Sequence, residues 1–390
     1  MAAPTLLIAD YPIGYPSGFG ETLHNLFFGF QTHDLWSAHP RNNPPQKKLG
    51  GSFSLPSPAR PDWIPSRVSL AFYPALKTLQ FVAARRTARD LSDFIRQNSI
   101  RNLLVVPVSP WILSTALMVH KKHRDLNLIV FIMDDWQGHH ESYGLPFSSR
   151  RRRLLSEAIA RANRRFAVSR EMAAHYEEVF GVNWEVAHNG ISEESIATPK
   201  RDVATPTKVL LAGDVNVFRF DAVLAFAEAL ERHKHRGATL PELTILGDVA
   251  EEYRRPLSRQ SVVKLPGRQT HSFCLSAMAA ADLLYLPLAF SQRAVRISLF
   301  SLPTKLPEYL ASGKPMLVHA PKESAVFQLA ERYDLKPRLA SIEAKSLDTF
   351  VAGWLDGKLT DLANAEKAKL ALTQEFNLQK LATTFQSAFI

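Results

Sequence analysis

An α/β architecture, with parallel sheets covered by helices on both faces and built twice over, is what this chain of 390 residues predicts. Three observations carry that prediction. Short strand-like apolar runs alternate with amphipathic helical stretches in each half. The length exceeds what one hydrophobic core usually organises, so two domains are expected. Between the halves lies NGISEESIATPKRDVATPTK, residues 189–208, whose polar and proline-punctuated composition is that of a linker and places a boundary near residue 200.

In the first half the expected strands are TLLIAD (5–10), NLLVVP (102–107), NLIVFIM (127–133), RRFAVS (164–169) and WEVAH (184–188). The first of them runs into YPIGYPSGFGETLHNL, where Gly14, Gly18 and Gly20 stand in a loop expected to precede a helix and to let backbone approach a ligand closely. Ordinary tight turns use glycine too, and the loop lacks both the Walker lysine and the dinucleotide-fingerprint spacing. From Pro40 to Pro65, seven prolines with Gly50 and Gly51 predict an extended loop.

The second half offers KVLLAG (208–213), ELTILG (242–247), VVKLP (262–266), DLLYLP (282–287) and PMLVH (315–319) as strands. DAVLAFAEALERH, between the first two, places Val223, Phe226, Ala227 and Leu230 on one helical face. In SLPTKLPEYLASGKPML, residues 301–317, Thr304 reads as an N-cap, Pro307 falls in the first turn where its missing N–H is harmless, and Gly313 stops the helix. Lys305 and Glu308 flank the start of that helix. A glutamate there complements the helix dipole whether or not it also binds a ligand.

Composition excludes several classes of function. The formal charge of +10 is divided between the halves, with 23 basic against 17 acidic residues through position 200 and 24 against 20 beyond it, so neither half is a basic module. Aromatic–basic interleaving of a nucleic-acid-binding domain is absent, and no nucleic-acid partner is expected. Cys274 is the only cysteine, which rules out an internal disulfide and a thiolate zinc site, fits a reducing compartment, and suits a small buried apolar residue. No apolar run approaches the roughly 20 residues that cross a bilayer. MAAPTLLIADYP has no basic leader before its apolar stretch, so a cytoplasmic protein is expected.

One segment departs from the even charge. In SSRRRRLLSEAIARANRRF, Arg150 to Arg153, Arg161, Arg164 and Arg165 surround Leu154, Leu155 and Ile159 at helical spacing. Such a helix is either a solvated face or a contact for an anionic membrane surface or lipid phosphate, peripheral to the inner face, at about 1 kcal/mol per basic residue.

Open parallel sheets bind ligands beyond the carboxyl ends of their strands. At the end of KVLLAG stands Gly213, and Arg219 follows six residues on, where an arginine suits phosphate or simply faces solvent. At the end of NLIVFIM stand Asp134 and Asp135, but adjacent residues on a strand point in different directions and no further ligands are spaced nearby, so no metal site is expected.

Taken in order, four segments resemble the retaining GT-B glycosyltransferases that use nucleotide sugars, in particular glycosyltransferase family 4: FAVSREMAAHYEEVFGVNWEVAHNGI, KVLLAGDVNVFRFDAVLAFAEAL, VVKLPGRQTHSFCLSAMAAADLLYLPLAF and SLPTKLPEYLASGKPML. The resemblance covers most of the chain. It implies a GT-B fold, two doubly wound Rossmann-like domains facing a cleft: an acceptor domain over 1–200, rejoined by a C-terminal helix at about 375–390, and a donor domain over 201–374. It implies that Glu308 bonds the nucleotide ribose, that Thr304 and Lys305 lie where the diphosphate meets the helix end, that Arg219 faces that diphosphate, and that Gly213 and Ser301 also belong to the donor site. By the same resemblance, Gly18 and Gly20 approach the donor phosphate and acceptor, and Gly267 and Arg268 cradle the nucleobase.

The implied reaction is transfer of a sugar from a nucleotide-diphosphate sugar to a glycan or lipid-linked acceptor, with retention, and with neither cofactor nor metal. Arg219 and Lys305 would stabilise the departing diphosphate. Three departures from the family's pattern stand out: Phe300 where an acidic residue commonly lies eight positions before Glu308, Asp214 where many members carry arginine, and Asp134, Asp135 and Trp136 where a histidine often meets the sugar, with His139 and His140 close behind. Asp135 thus joins the catalytic candidates, and Asp134, His139 and His140 join it on the acceptor side. A GT-B protein that binds nucleotide sugar or a partner without chemistry, and a nucleotide-sugar epimerase, are alternative readings of the same residues.

Overall fold

The computed structural model describes residues 3–55, 73–144, 147–195, 207–236, 240–358 and 365–389. The expected boundary near residue 200 and residues 56–65 of the proline-rich stretch lie outside them. The chain divides into two compact units: Met1–Trp136 with Phe147–Asn189 and Gln379–Ile390, and Gln137–Pro146 with Gly190–Leu378.

The first unit is built on a seven-stranded parallel sheet: β1 (Thr5–Ala9), β2 (Leu35–Pro40), β3 (Gly51–Leu55), β4 (Asn102–Val106), β5 (Asn127–Ile132), β6 (Arg164–Ala167) and β7 (Glu185–Val186), in the order β3-β2-β1-β4-β5-β6-β7. Buried on both faces, β1, β4 and β5 are the near-continuous apolar runs that parallel strands require. The second unit has a six-stranded parallel sheet: β8 (Lys208–Ala212), β9 (Glu242–Leu246), β10 (Val263–Lys264), β11 (Leu283–Pro287), β12 (Met316–His319) and β13 (Arg338–Leu339), in the order β10-β9-β8-β11-β12-β13. The two orders are the same doubly wound pattern, reversing direction between β1 and β4 and again between β8 and β11.

Three strands escape the sequence reading. In β2, Ser37 and His39 interrupt the apolar run although both are buried. In β3, which lies within the stretch expected to be loop, glycine and serine alternate with Phe53 on an edge strand that pairs Trp36 with Gly51 and Ala38 with Phe53. Two-residue β13 is too short to carry a pattern.

Helices cover both faces of the second sheet. On one, Val223, Phe226, Ala227 and Leu230 of the helix Phe220–His233 pack with Val351 and Trp354 against Leu211, Ile245 and Tyr285. On the other, Cys274, Met278, Leu306 and Tyr309 pack with Leu372 and Phe376 against Leu210 and Leu284. In the first unit the final helix, Leu378–Gln386, inserts Phe385 against Phe166 with ring centroids 4.9 Å apart, and Gln386 donates to the carbonyls of Leu26 and Phe28, at 3.0 and 2.8 Å.

Candidate functional site

The second unit gathers its chemistry at the carboxyl end of β8, where the strand order reverses. Gly213 adopts φ +147°, and the space that a Cβ would need there is filled by the Arg219 guanidinium, which folds back over the turn. Arg219 Nη1 donates to the Asp214 carbonyl at 3.3 Å. Burial lowers the pKa of this arginine, opposed by Tyr309 and Asp214 nearby, and the group keeps its positive charge in a poorly solvated place. Tyr309 Oη accepts from the Ala212 amide at 2.6 Å and ties the short helix Leu306–Ala311 to the same strand end; burial holds its phenol protonated.

Beside Tyr309 stand Lys305 and Glu308, and the structure joins them: Lys305 Nζ donates to both carboxylate oxygens of Glu308, at 2.8 and 2.9 Å. The expected N-cap is corrected here. Lys305, not Thr304, occupies that position and makes no side-chain capping bond, because the helix begins only at Leu306. Pro307 sits in the first turn and Gly313 follows the helix at φ +66°. Ser301 ends the preceding helix, Val295–Phe300, and Phe300 is 8% exposed, so its ring belongs to the core rather than to the position of an acid.

Arg268 turns to carboxylates. Its guanidinium pairs with Asp214 at 3.0 Å and Asp248 at 3.1 Å, while the Asp248 amide donates to Asp214 Oδ1 at 2.9 Å. The departure Asp214 thereby acquires a partner, and the ends of β8 and β9 are stitched to the loop at Gly267. Sequence reasoning missed Asp221, in the first turn of the helix that Arg219 caps. Its Oδ2 accepts from the Phe290 and Ser291 amides, at 2.8 and 2.6 Å, and fixes the loop after β11. An aspartate at such an entrance reads from sequence as a dipole complement and nothing more.

In the first unit, the glycine-rich segment proves more helical than expected. Ser17 caps a helix that already begins at Gly18, accepting from the Gly20 amide at 3.3 Å, so Gly18 and Gly20 lie within the first turn rather than ahead of it. A Cβ on Gly20 would collide with the backbone of Pro12 and Tyr15; glycine is required there by the segment folding on itself. At the end of β5, Asp135 is 2% exposed and accepts from Tyr176 Oη at 2.9 Å. Burial, reinforced by the Asp135 charge, pushes Asp134 up to about 6. The two expected histidines lie in the second unit on the helix Trp136–Ser142, with His140 buried and the His139 ring 6.0 Å from Phe218.

Of the arginine-rich segment, only Arg150 to Arg153 and Arg161 fall on the helix, Ser149–Arg161, while Arg164 and Arg165 lie on β6; three of these arginines are engaged internally. Arg164 pairs with Glu185, Arg161 with Glu157, and Arg165 donates to the carbonyls of Ile159 and Ala162 at the helix end. Arg150, Arg152 and Arg153 are exposed. Among the described residues no group of three or more His, Cys, Asp or Glu side chains is placed to hold a metal ion, and no helix is long and apolar enough to cross a membrane.

No family model and no curated protein matches this sequence. Solved structures do. HepE from Anabaena, in complex with UDP and glucose, is similar at TM-score 0.65 and 15% identity over 98% of each chain. Sucrose-phosphate synthase from Thermosynechococcus elongatus is similar at TM-score 0.67 and 11% identity, over 99% of this chain and 98% of that one. The lipopolysaccharide outer core galactosyltransferase WaaB, in its apo form, reaches 0.62 and 15% over 98% of each chain. At such identities it is architecture that the likeness establishes, and with both Rossmann-like sheets in place, this chain has the GT-B fold.

Proposed function

We propose that this chain is a retaining glycosyltransferase that takes a sugar from a nucleotide-diphosphate sugar and passes it to a glycan or lipid-linked acceptor. One observation carries the reading: Gly213, Arg219, Lys305, Glu308 and Tyr309 converge at the point of the second sheet where its strand order reverses. An open α/β sheet presents its ligand site there, and HepE, similar over 98% of its length, holds UDP and glucose.

In this reading the diphosphate faces Arg219 and Lys305, and Glu308 bonds the ribose hydroxyls. As the sugar leaves, negative charge grows on the diphosphate, and a guanidinium partly withdrawn from water stabilises it more than a fully solvated one can. The departing phosphate takes the proton of the acceptor hydroxyl, which attacks the same face of the sugar. The diphosphate is thus both leaving group and base. On the acceptor side, in the first unit, Asp134, whose pKa burial and the Asp135 charge together push up to about 6, can hydrogen-bond acceptor hydroxyls in either protonation state, and Asp135 is held by Tyr176. The exposed Arg150, Arg152 and Arg153 face an anionic membrane surface on which a lipid-linked acceptor lies.

Incubating the protein with a panel of UDP- and GDP-sugars tests the reaction. Slow release of free sugar, carrying the donor's anomeric configuration by NMR, is the expected result. An epimerised donor makes the protein an epimerase, and binding without turnover makes it a binding protein. Sedimentation with vesicles tests the surface. Binding to anionic lipid, weakened by salt and by Arg150→Ser, Arg152→Ser and Arg153→Ser together, is expected; equal binding to neutral vesicles contradicts it.

A further inference from the structure

Lys305 and Glu308 are assigned to different parts of a nucleotide, yet they hold each other. Both Glu308 oxygens accept from the Lys305 ammonium, with the side chains 29% and 11% exposed, so the contact is partly withdrawn from solvent. An ammonium has three donors, and two of them point at this one carboxylate. A phosphate approaching Lys305 therefore meets a cation already neutralised.

We infer that the pair is a specificity lock: Lys305 becomes available to a diphosphate only when a ribose engages Glu308, so the site selects whole nucleotides over free pyrophosphate. The inference rests on the donor-site reading above and concerns how that site discriminates. Pyrophosphate brings charge but no hydroxyls. To reach Lys305 it must part the ion pair and leave Glu308 facing an anion. A nucleoside diphosphate brings vicinal hydroxyls that donate to Glu308 as Lys305 turns away, so each half of the broken pair gains a partner. Ribose and phosphate binding are then coupled through one ion pair, and the coupling is reciprocal.

Calorimetric titration with UDP, GDP, ADP and inorganic pyrophosphate tests this. The wild-type chain is expected to bind one nucleoside diphosphate more tightly than pyrophosphate. Glu308→Gln removes the lock, and should weaken that nucleotide while tightening pyrophosphate, by roughly two- to fivefold, the factor equivalent to a partly exposed ion pair. Removing a negative charge favours any anion through the general field, so the variant is repeated in a Lys305→Ala background. Loss of the pyrophosphate gain there is expected, because the released group is Lys305. A gain of equal size without Lys305, or no gain in Glu308→Gln, overturns the lock while leaving the donor site intact. If wild type binds no nucleoside diphosphate at millimolar concentration, the donor-site reading itself fails. Circular dichroism and thermal melting confirm that each variant is folded.

Discussion

The two sheets share one strand order and treat its reversal point in opposite ways. Where β1 meets β4, the protein supplies its own anion: Asp10 accepts from the amides of Val108 and Ser109, at 2.9 and 2.8 Å, and from the Ser109 hydroxyl at 2.6 Å. Where β8 meets β11, a cation folds over a glycine instead, and the bridging carboxylate, Asp221, stands back in the first turn of the next helix. An amide-rich strand end that already holds a carboxylate has less to offer a phosphate. One that holds a half-buried guanidinium has more. The same topology thus produces a self-satisfied crevice and an anion-seeking one, and the function proposed above assigns the nucleotide diphosphate to the second.

The largest test of that contrast sets one charge against the other. Arg219→Ala should lower the turnover of any accepted donor by about a hundredfold or more, since it removes a cation facing charge that grows as the bond breaks, with a smaller effect on donor affinity. Asp10→Asn should leave turnover near wild type and reduce stability instead, by about 1–3 kcal/mol, through amides left without their charged partner. Steady-state kinetics beside urea unfolding separates the two. If Asp10→Asn lost as much turnover as Arg219→Ala, the division of labour proposed for the two crevices would be wrong.

The glycines sharpen the comparison at smaller cost. Gly213→Ala and Gly20→Ala both introduce a Cβ where none fits, against the Arg219 guanidinium in the first case and backbone in the second. A loss of roughly 1–3 kcal/mol is expected at each from strain. Nucleotide affinity should fall only for Gly213→Ala, because only there is the displaced group, the Arg219 guanidinium, one that the proposed function assigns to the diphosphate.

The smallest effect is electrostatic and opposes one unit to the other. Asp134, raised from 3.8 to about 6, holds a proton in the folded chain that the unfolded chain releases, so its contribution to stability declines as pH rises between those values. His319 is buried between Tyr285 and the Ser341 carbonyl, and burial lowers it from 6.5 to about 4. It stays neutral in the fold, and the stability it contributes above pH 6.5 is lost as pH falls towards 4. Between pH 4 and 6 the two slopes offset each other. Asp134→Asn should therefore make the urea midpoint rise more steeply with pH than in wild type; an unchanged or shallower slope would count against a protonated Asp134.

Both sheets were legible wherever a strand is buried on both faces, because β1, β4, β5, β8 and β11 need unbroken apolar runs. The edge strands β7 and β10 were read as well, within WEVAH and VVKLP, but β2, β3 and β13 were not. Ser37 and His39 disguise β2, and β3 hides among prolines and glycines, since its pairing with β2 is set by a neighbour distant in sequence. At the site, the glycine and arginine after β8 could be read as a phosphate entrance, but not the folding of Arg219 over Gly213, which depends on backbone torsion. The partnership of Lys305 with Glu308 was hidden for a related reason. Spacing of three residues permits an ion pair, yet where the helix starts decides whether it forms, and that start is at Leu306, with Lys305 rather than Thr304 at the N-cap. Asp214 read as a loss of positive charge until Arg268, 54 residues on, was found against it.

Hydrogen exchange read by mass spectrometry, with and without the nucleoside diphosphate that binds most tightly, tests the central claim most directly. Slowed exchange is predicted in peptides covering residues 212–219 and 304–310, with residues 10–20 unaffected by the nucleotide alone. Protection confined to residues 10–20 and 106–109 would place the diphosphate at the first sheet's crevice and contradict the account.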